Sequence, residues 1–398
     1  MPLTVRSHAG SHHGSRNALS IADLTRNAVH VHPEGALEQK LALGRPLRVK
    51  LGIDPTGPDI HIGFAVVLRR LAAFQREGHT AVLIVGDYTA RIGDPSGRSK
   101  EREVLPDEML DRNAELFAEQ AYRILDRDRT EVRFNGEWLG KLDYAELVRL
   151  TRTGTVAQLL ERDDFAKRFR GREPISVSEL LYPFAQGYDS VAVQADIEVG
   201  GTDQLYNLLM GRDVMATYAL EPQAVITYEL LVGTDGVEKM SKSQGNYIGI
   251  DESPEEQFGK VMSIPDSALD QWWRLCLDVE SPEVEPMESK LALARGIVEL
   301  YEGAEAAVRA EEHFTRVVRE GQAPEDVLEA ALPPGDPVHL PSVLADAFGL
   351  STSEARRLIA QGGVKVDARQ VVDLDLPRAE LVGSIVQAGK RRFVRLTG

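Results

Sequence analysis

Residues 47–64 read Leu47-Arg48-Val49-Lys50-Leu51-Gly52-Ile53-Asp54-Pro55-Thr56-Gly57-Pro58-Asp59-Ile60-His61-Ile62-Gly63-Phe64. The first seven are a short β-rich run, and Asp-Pro-Thr-Gly-Pro is turn chemistry that closes it. From Ile62 to Glu77 the apolar residues recur at helical spacing, with the basic residues read as the outer face. Thr80-Ala81-Val82-Leu83-Ile84-Val85-Gly86-Asp87 follows as an apolar run of the kind buried in a parallel sheet. Strand, helix and strand on short connections make a βαβ unit, so the chain opens as an α/β protein with a Rossmann-like parallel sheet. A helix beginning near His61 turns unpaired N–H groups and its positive dipole end toward the strand's carboxyl end, which suits phosphate.

The second decisive stretch is Lys239-Met240-Ser241-Lys242-Ser243, flanked by Gly233, Gly236 and Gly245. Two cations on a glycine-flanked loop can close over a polyphosphate as charge develops on a leaving group, which places binding energy in the transition state. Ser241 and Ser243 add small hydroxyls without obstructing closure. Gly63 leaves room for close backbone approach, and His61 can donate to a phosphoryl oxygen. Together the two stretches read as halves of one ATP site. No GxxxxGK[ST] sequence is present, which excludes a P-loop.

Three more segments narrow the reading. Gly93-Asp94-Pro95-Ser96-Gly97-Arg98 follows the second strand. Leu181-Tyr182-Pro183-Phe184-Ala185-Gln186-Gly187-Tyr188-Asp189 puts Tyr182, Gln186 and Asp189 on one helix face, and Gly200-Gly201-Thr202-Asp203-Gln204 ends a strand whose β character is expected from Ser190. In this order the five motifs resemble class I aminoacyl-tRNA synthetases, and within them the tyrosyl-tRNA synthetases of the bacterial branch with an intact KMSKS, over roughly residues 30–398.

The resemblance implies ATP-dependent activation of L-tyrosine to an adenylate and its transfer to the 3′ end of tRNA(Tyr), with Mg²⁺ and no dedicated protein metal cage. It assigns Asp94, Tyr182 and Gln186 to the substrate ammonium, Asp189 to the phenol, Gln204 to the region of the carboxyl group, and Asp54 to the side of the same pocket. Asp203 would read the ribose, with Gly63, Ser241 and Lys242 on ATP. Thr56, His61, Lys239 and Lys242 would stabilise pyrophosphate departure. The family also implies a homodimer, with the helix-rich insertion expected at about 107–180 forming much of its interface.

The chain departs from the family at the same site. Phe64 replaces the second histidine of His-Ile-Gly-His, and Gln244 replaces the usual apolar residue after KMSKS. Gly187 stands where Ala is usual, which reads as a methyl removed near the amino-acid pocket. Lys50 takes the place of a Tyr that contacts the substrate hydroxyl in the other bacterial branch, leaving Asp189 as the main phenol reader. These changes raise a second reading, a specialised paralogue with altered ATP use or a modified-tyrosine substrate. A third is an RNA-binding protein that has lost activation, although the intact KMSKS and tyrosine set oppose it. Tryptophanyl synthetase is disfavoured by Asp189 and by the terminal module.

That module begins after the linker Pro333-Pro334-Gly335-Asp336-Pro337. Ser351-Thr352-Ser353-Glu354 fits a capping box, Ala355 to Gln361 an amphipathic helix, and Val364 to Asp367 a strand. The pattern resembles a small RNA-binding module also found in a ribosomal small-subunit protein (the S-four type), with Arg356, Arg357, Lys365, Lys390, Arg391 and Arg392 as its tRNA contacts. The chain's net charge of −16 excludes a generally basic nucleic-acid-coating surface. Residues 337–398 reverse that sign, with nine basic against six acidic residues and a local charge of +3.

The expected organisation is a disordered tail (1–20), a Rossmann-like catalytic domain (21–250), a helical tRNA-binding domain (251–332) and a small α+β RNA-binding domain (338–398). No long apolar run and no secretory leader is visible, so no membrane contact is expected and the cytoplasm is the expected compartment. The single cysteine, Cys276, lies in an apolar helix-like run and reads as a buried structural thiol.

Overall fold

The computed structural model describes residues 20–57, 59–96, 106–319, 327–389 and 392–398. The expected tail up to residue 19, Pro58, Gly97, Arg98, Lys390 and Arg391 lie outside them, whereas Ser20, given to the tail, caps helix Ile21–Leu24. Internal contacts separate two compact units: the chain up to Ser253 with Lys260–Ile297, and Pro254–Gly259 with Val298–Gly398.

The first unit is built on a six-stranded sheet of β1 (Ala28–His32), β2 (Arg48–Ile53), β3 (Thr80–Val85), β4 (Thr130–Phe134), β5 (Ile197–Gly201) and β6 (Ala224–Tyr228). Its spatial order is β1-β6-β5-β2-β3-β4; only β1 runs antiparallel, along β6. β5 and β6 are buried at every residue, and so is β3 after Thr80, because helices cover both sheet faces. The chain winds outward from β2 through β3 to β4, then restarts beside β2 at β5. The topological switch point therefore lies between β2 and β5, and their carboxyl ends open the crevice in which such sheets bind ligands.

Several expectations change here. The span 107–180 is not wholly an insertion, since Thr130–Phe134 pairs in register with β3 as the edge strand. Its half-polar sequence, intermediate in burial throughout, lacks the apolar run that marks interior strands. The residues from Ser190 to Val193 belong to the helix Tyr182–Val193, which ends on left-handed Gln194 before β5 starts at Ile197. The basic residues of helix Ile62–Arg76 are not all on an outer face. Arg69 reaches Asp278 at 2.7 Å, and buried Arg70 pairs with the same carboxylate. Asp278 caps helix Leu269–Leu277, a partner too distant in sequence for periodicity to reveal. Cys276 is buried as expected, and burial pushes its thiol up to about 12.

In the second unit a five-stranded sheet runs Arg369–Gln370, Val364–Val366, Ile385–Ala388, Arg392–Thr397, Leu328–Ala331. Leu328–Ala331 thus interrupts the helical stretch expected to 332, and it pairs parallel with Arg392–Thr397. The Pro333–Pro337 linker is consequently a loop inside this fold. Ser351 caps helix Thr352–Ala360 in a reciprocal box with Glu354. Leu340, Leu344, Ile359, Val364, Val386 and Leu396 form the core beneath it.

Candidate active site

At the carboxyl ends of β2 and β5 a cleft of about 440 Å³ is lined by Asp54, Thr56, His61, Gly63, Phe64, Asp94, Tyr182, Gln186, Asp189, Asp203, Gln204, Lys239, Ser241 and Lys242. Every catalytic, ATP and tyrosine residue named from the sequence is therefore brought to one site.

One end is a tightly bonded polar pocket. The Tyr182 hydroxyl donates to Asp54 Oδ2 at 2.9 Å, and Thr89 Oγ1 donates to the other oxygen at 2.7 Å. Asp189 is fully buried, with Trp138 Nε1 on Oδ1 at 2.8 Å and Asn135 Nδ2 on Oδ2 at 3.2 Å. Burial raises its carboxyl to about 7, against the pull of the Lys50 charge and these two donors. A buried salt bridge, Lys50–Glu198 at 2.9 Å, underlies the helix. Lys50 also donates to Ser190 Oγ at 2.7 Å, and Gln186 Nε2 donates to Glu198 at 3.2 Å. Because a carboxylate only accepts, this bond turns the Gln186 amide nitrogen away and leaves its oxygen as an acceptor for an ammonium group.

The other end is differently made. His61 is the N-cap of helix Ile62–Arg76, and its ring stacks on Phe64 with centroids 4.3 Å apart. Burial, then the charges of Lys242 and Lys239, lower its pKa to about 3, so it is a neutral imidazole at working pH. Its Nδ1 is buried without a hydrogen-bond partner among the described residues, as is Lys242 Nζ. Lys242 passes so close to Gly57 that a Cβ there would lie 2.6 Å from its Cδ, and its ammonium stands 4.8 Å from the centre of the Phe117 ring. Phe64 meets the same ring edge-on at 6.1 Å. Burial lowers the Lys242 ammonium to about 8, while Asp59 and Asp251 act to raise it. Lys239 pairs with Asp203 at 2.8 Å, so the loop lysine holds the carboxylate expected to read a ribose.

One glycine reading changes, that of Gly187, and Gly63 gains a packing reason beside its expected place at ATP. Gly63 packs against the His61 ring and Met240, where a Cβ would come within 3.1 Å of the imidazole. Gly187 faces helix Leu205–Thr217, not the cleft; a methyl there would stand 2.8 Å from Val214 Cγ2 and 3.3 Å from the Gly211 backbone. It is a helix-packing residue. Sequence reasoning also missed Thr89, Phe117, Asn135, Trp138, Glu198 and Asn207. Only the Asn135-Gly136 pair carried a turn signal; the others are ordinary residues of helices and strands.

In the second unit Arg356, Arg357, Lys365 and Arg392 are exposed, the first three around helix Thr352–Ala360 and the strand after it. Arg357 and Arg392 both act on the Glu354 carboxylate. Arg356 lies 3.3 Å from His339 Nε2.

A family model of class I tRNA synthetases (W and Y) matches residues 42–318. The tyrosine–tRNA ligase of Moorella thermoacetica is 48% identical over 390 residues, covering 94% of each chain. That of Geobacter sulfurreducens is 47% identical over 402 residues, covering 95% of this chain and 100% of that one. The tyrosyl-tRNA synthetase of Archaeoglobus fulgidus, solved complexed with L-tyrosine, shares the fold with a TM-score of 0.60 at 23% identity, over 72% of this chain and 97% of that one.

Proposed function

The chain belongs to the class I tRNA synthetases of the tryptophan and tyrosine type, and on that premise we propose that it is a tyrosine–tRNA ligase whose two-ended cleft joins tyrosine to ATP and then to tRNA. The observation that carries the choice of tyrosine is Asp189. A fully buried carboxylate, held by Trp138 and Asn135 at the end of the amino-acid pocket, suits a phenol donor. A site built to bond that hydroxyl rejects phenylalanine strongly, by about 10⁵ for tyrosyl-tRNA synthetases.

In this reading Asp94, Tyr182 and Gln186 receive the ammonium group, with Asp54 fixing the Tyr182 hydroxyl. The tyrosine carboxylate oxygen attacks the α-phosphorus of ATP; the new P–O bond forms as the bond to pyrophosphate breaks. No side-chain nucleophile is needed, and positioning supplies the acceleration. Thr56, neutral His61, Lys239 and Lys242 face the leaving pyrophosphate, while Gly63 and Ser241 lie against ATP. Binding of ATP would exchange the Lys239–Asp203 pair for ribose contacts on Asp203. A tRNA 3′-terminal hydroxyl then attacks the acyl carbon and releases AMP. Mg²⁺ would be carried by the phosphates, because no set of three His, Cys, Asp or Glu among the described residues is arranged to hold a metal.

The exposed Arg356, Arg357, Lys365 and Arg392, with Lys390 and Arg391, are read as phosphate contacts to tRNA, and binding should weaken steeply with salt. A homodimer with much of its interface formed by the segment near 107–180, and a cytoplasmic location, complete the reading. No helix among the described residues is long and apolar enough to cross a membrane.

Tyrosine-dependent ATP–pyrophosphate exchange, measured beside tRNA charging, tests the proposal, with both activities expected. Exchange without charging would instead indicate an adenylate-forming paralogue. Tight tRNA binding without exchange would indicate a binding protein.

A further inference from the structure

Behind the amino-acid end lie three buried polar residues, Arg162, Asn207 and Ser96, to which the reaction gives no part. Arg162 is buried, with its Nε on Asp164 at 3.0 Å. Its Nη1 donates to Asn207 Oδ1 at 2.8 Å and its Nη2 to Ser96 Oγ at 2.7 Å. Fully buried Asn207 in turn donates from Nδ2 to Gln204 Oε1 at 2.9 Å and to Ser96 Oγ at 3.2 Å. Gln204 then donates from Nε2 to Asp94 Oδ2 at 2.9 Å, and the Ser96 backbone N–H donates to Asp94 Oδ1 at 2.9 Å.

The directions agree from both ends: the Arg162 guanidinium only donates, and the Asp94 carboxylate only accepts. A guanidinium carries only donors, so the Asn207 side that faces it must be oxygen. The Asn207 nitrogen is thereby turned to Gln204, whose oxygen must accept, and the Gln204 nitrogen is turned to Asp94 and the cleft. We propose that Arg162 and Asn207 are positioning residues for the amino-acid substrate, fixing Gln204 as a donor toward the substrate carboxylate and leaving Asp94 as the acceptor for its ammonium group. A flipped Gln204 would present its carbonyl oxygen to both carboxylates. The inference rests on the tyrosine reading of this pocket.

The orientation can be released. In Asn207→Asp the introduced carboxylate still accepts from Arg162 but has no proton for Gln204, so Gln204 stands between two acceptors and its amide is no longer held with its nitrogen toward Asp94 and the cleft. L-tyrosine has both charged groups, whereas tyramine has the ammonium group alone. Calorimetric titration of the full chain should show L-tyrosine binding weakened about tenfold or more, the loss of a hydrogen bond to a charged group, with tyramine binding unchanged or tighter. Arg162→Lys, which keeps a donor against Asn207, should preserve most of the tyrosine preference, and Arg162→Gln, which frees Asn207 to turn, should lose it. Equal weakening of both ligands in Asn207→Asp, or no change in either, would overturn the relay while leaving the tyrosine reading intact. Failure of the unsubstituted chain to bind L-tyrosine would overturn that reading and the relay with it.

Discussion

The two ends of the cleft solve opposite problems. At the amino-acid end Asp54, Asp94, Gln186 and Asp189 already hold hydrogen bonds to Tyr182, Thr89, Gln204, Glu198, Trp138 and Asn135. At the nucleotide end His61 Nδ1 and Lys242 Nζ are buried with no hydrogen-bond partner among the described residues, and Lys239 is tied to Asp203. Leaving a buried polar atom unpaired costs stability. On the proposed reading the comparison teaches where selectivity and acceleration would reside: a satisfied network would read the small substrate, and unsatisfied polar atoms would reserve their interactions for charge that develops during reaction.

The largest effect should come from breaking the network's foundation. Lys50→Met strands the buried Glu198 carboxylate beside Gln186, Ser190 and Gln223. Removing one partner of a buried pair costs about 3–5 kcal/mol. Denaturant unfolding should show a loss of that size, and a loss below about 1 kcal/mol would mean that the pair does not anchor the amino-acid end.

Asp189 comes next. Its carboxyl is raised to about 7, so in the free protein burial favours the neutral form. The stability contributed by that proton is complete below the ordinary carboxyl range and is lost as pH rises through about 7. Substrate binding has the opposite sign, because a phenol needs the ionised acceptor: tyrosine affinity should rise as pH climbs through about 7 and then level. Asp189→Asn should flatten that profile, weaken tyrosine by about a hundredfold, and narrow its preference over phenylalanine. Titrations at several pH values with both amino acids supply the check.

At the nucleotide end the Phe117 ring is the least expected participant. Its face lies beside the Lys242 ammonium, the kind of contact worth about 0.5–2 kcal/mol. Phe117→Leu keeps the apolar wall but removes the π face, and should slow adenylate formation by about threefold to thirtyfold with tyrosine affinity unchanged. Phe117→Trp should restore the rate. A change in tyrosine affinity instead would show that the two ends are not separable.

How much of this was legible in the sequence differs by kind of residue. Motif residues were legible because a turn, a helix start or an i, i+4, i+7 spacing fixes where they go. Strand β2 was legible as a β-rich run closed by turn residues and β3 as an apolar run, whereas β4 was hidden by its half-polar edge sequence and β1 and β6 carried no flanking motif. The supporting residues were not legible for a physical reason. Glu198, Asn207 and Phe117 acquire meaning only from neighbours far along the chain, such as Lys50, Arg162 and Lys242. Gly187 shows the opposite error: its position beside pocket residues suggested the pocket, but a helix has two faces and this one meets Val214 and Gly211.

Phe64 gives the smallest and sharpest test of the contrast. As a substitute for a histidine it removes a donor from the nucleotide end, and a lost hydrogen bond alone would be worth about 1–3 kcal/mol. The structure supplies a compensation: Phe64 stacks on neutral His61 at 4.3 Å and braces Phe117, the ring beside Lys242. Restoring the histidine would add a donor while exchanging that apolar brace for a polar ring beside two nearby lysine charges. The two effects oppose each other, so Phe64→His should raise the ATP–pyrophosphate exchange rate by no more than about fivefold, under about 1 kcal/mol. A gain near a hundredfold would mean that the aromatic pair compensates for nothing and that the nucleotide end is impaired as it stands. A loss of rate would place Phe64 with Phe117 among the groups that hold Lys242, and the departure from the family motif would then be a working part of this site.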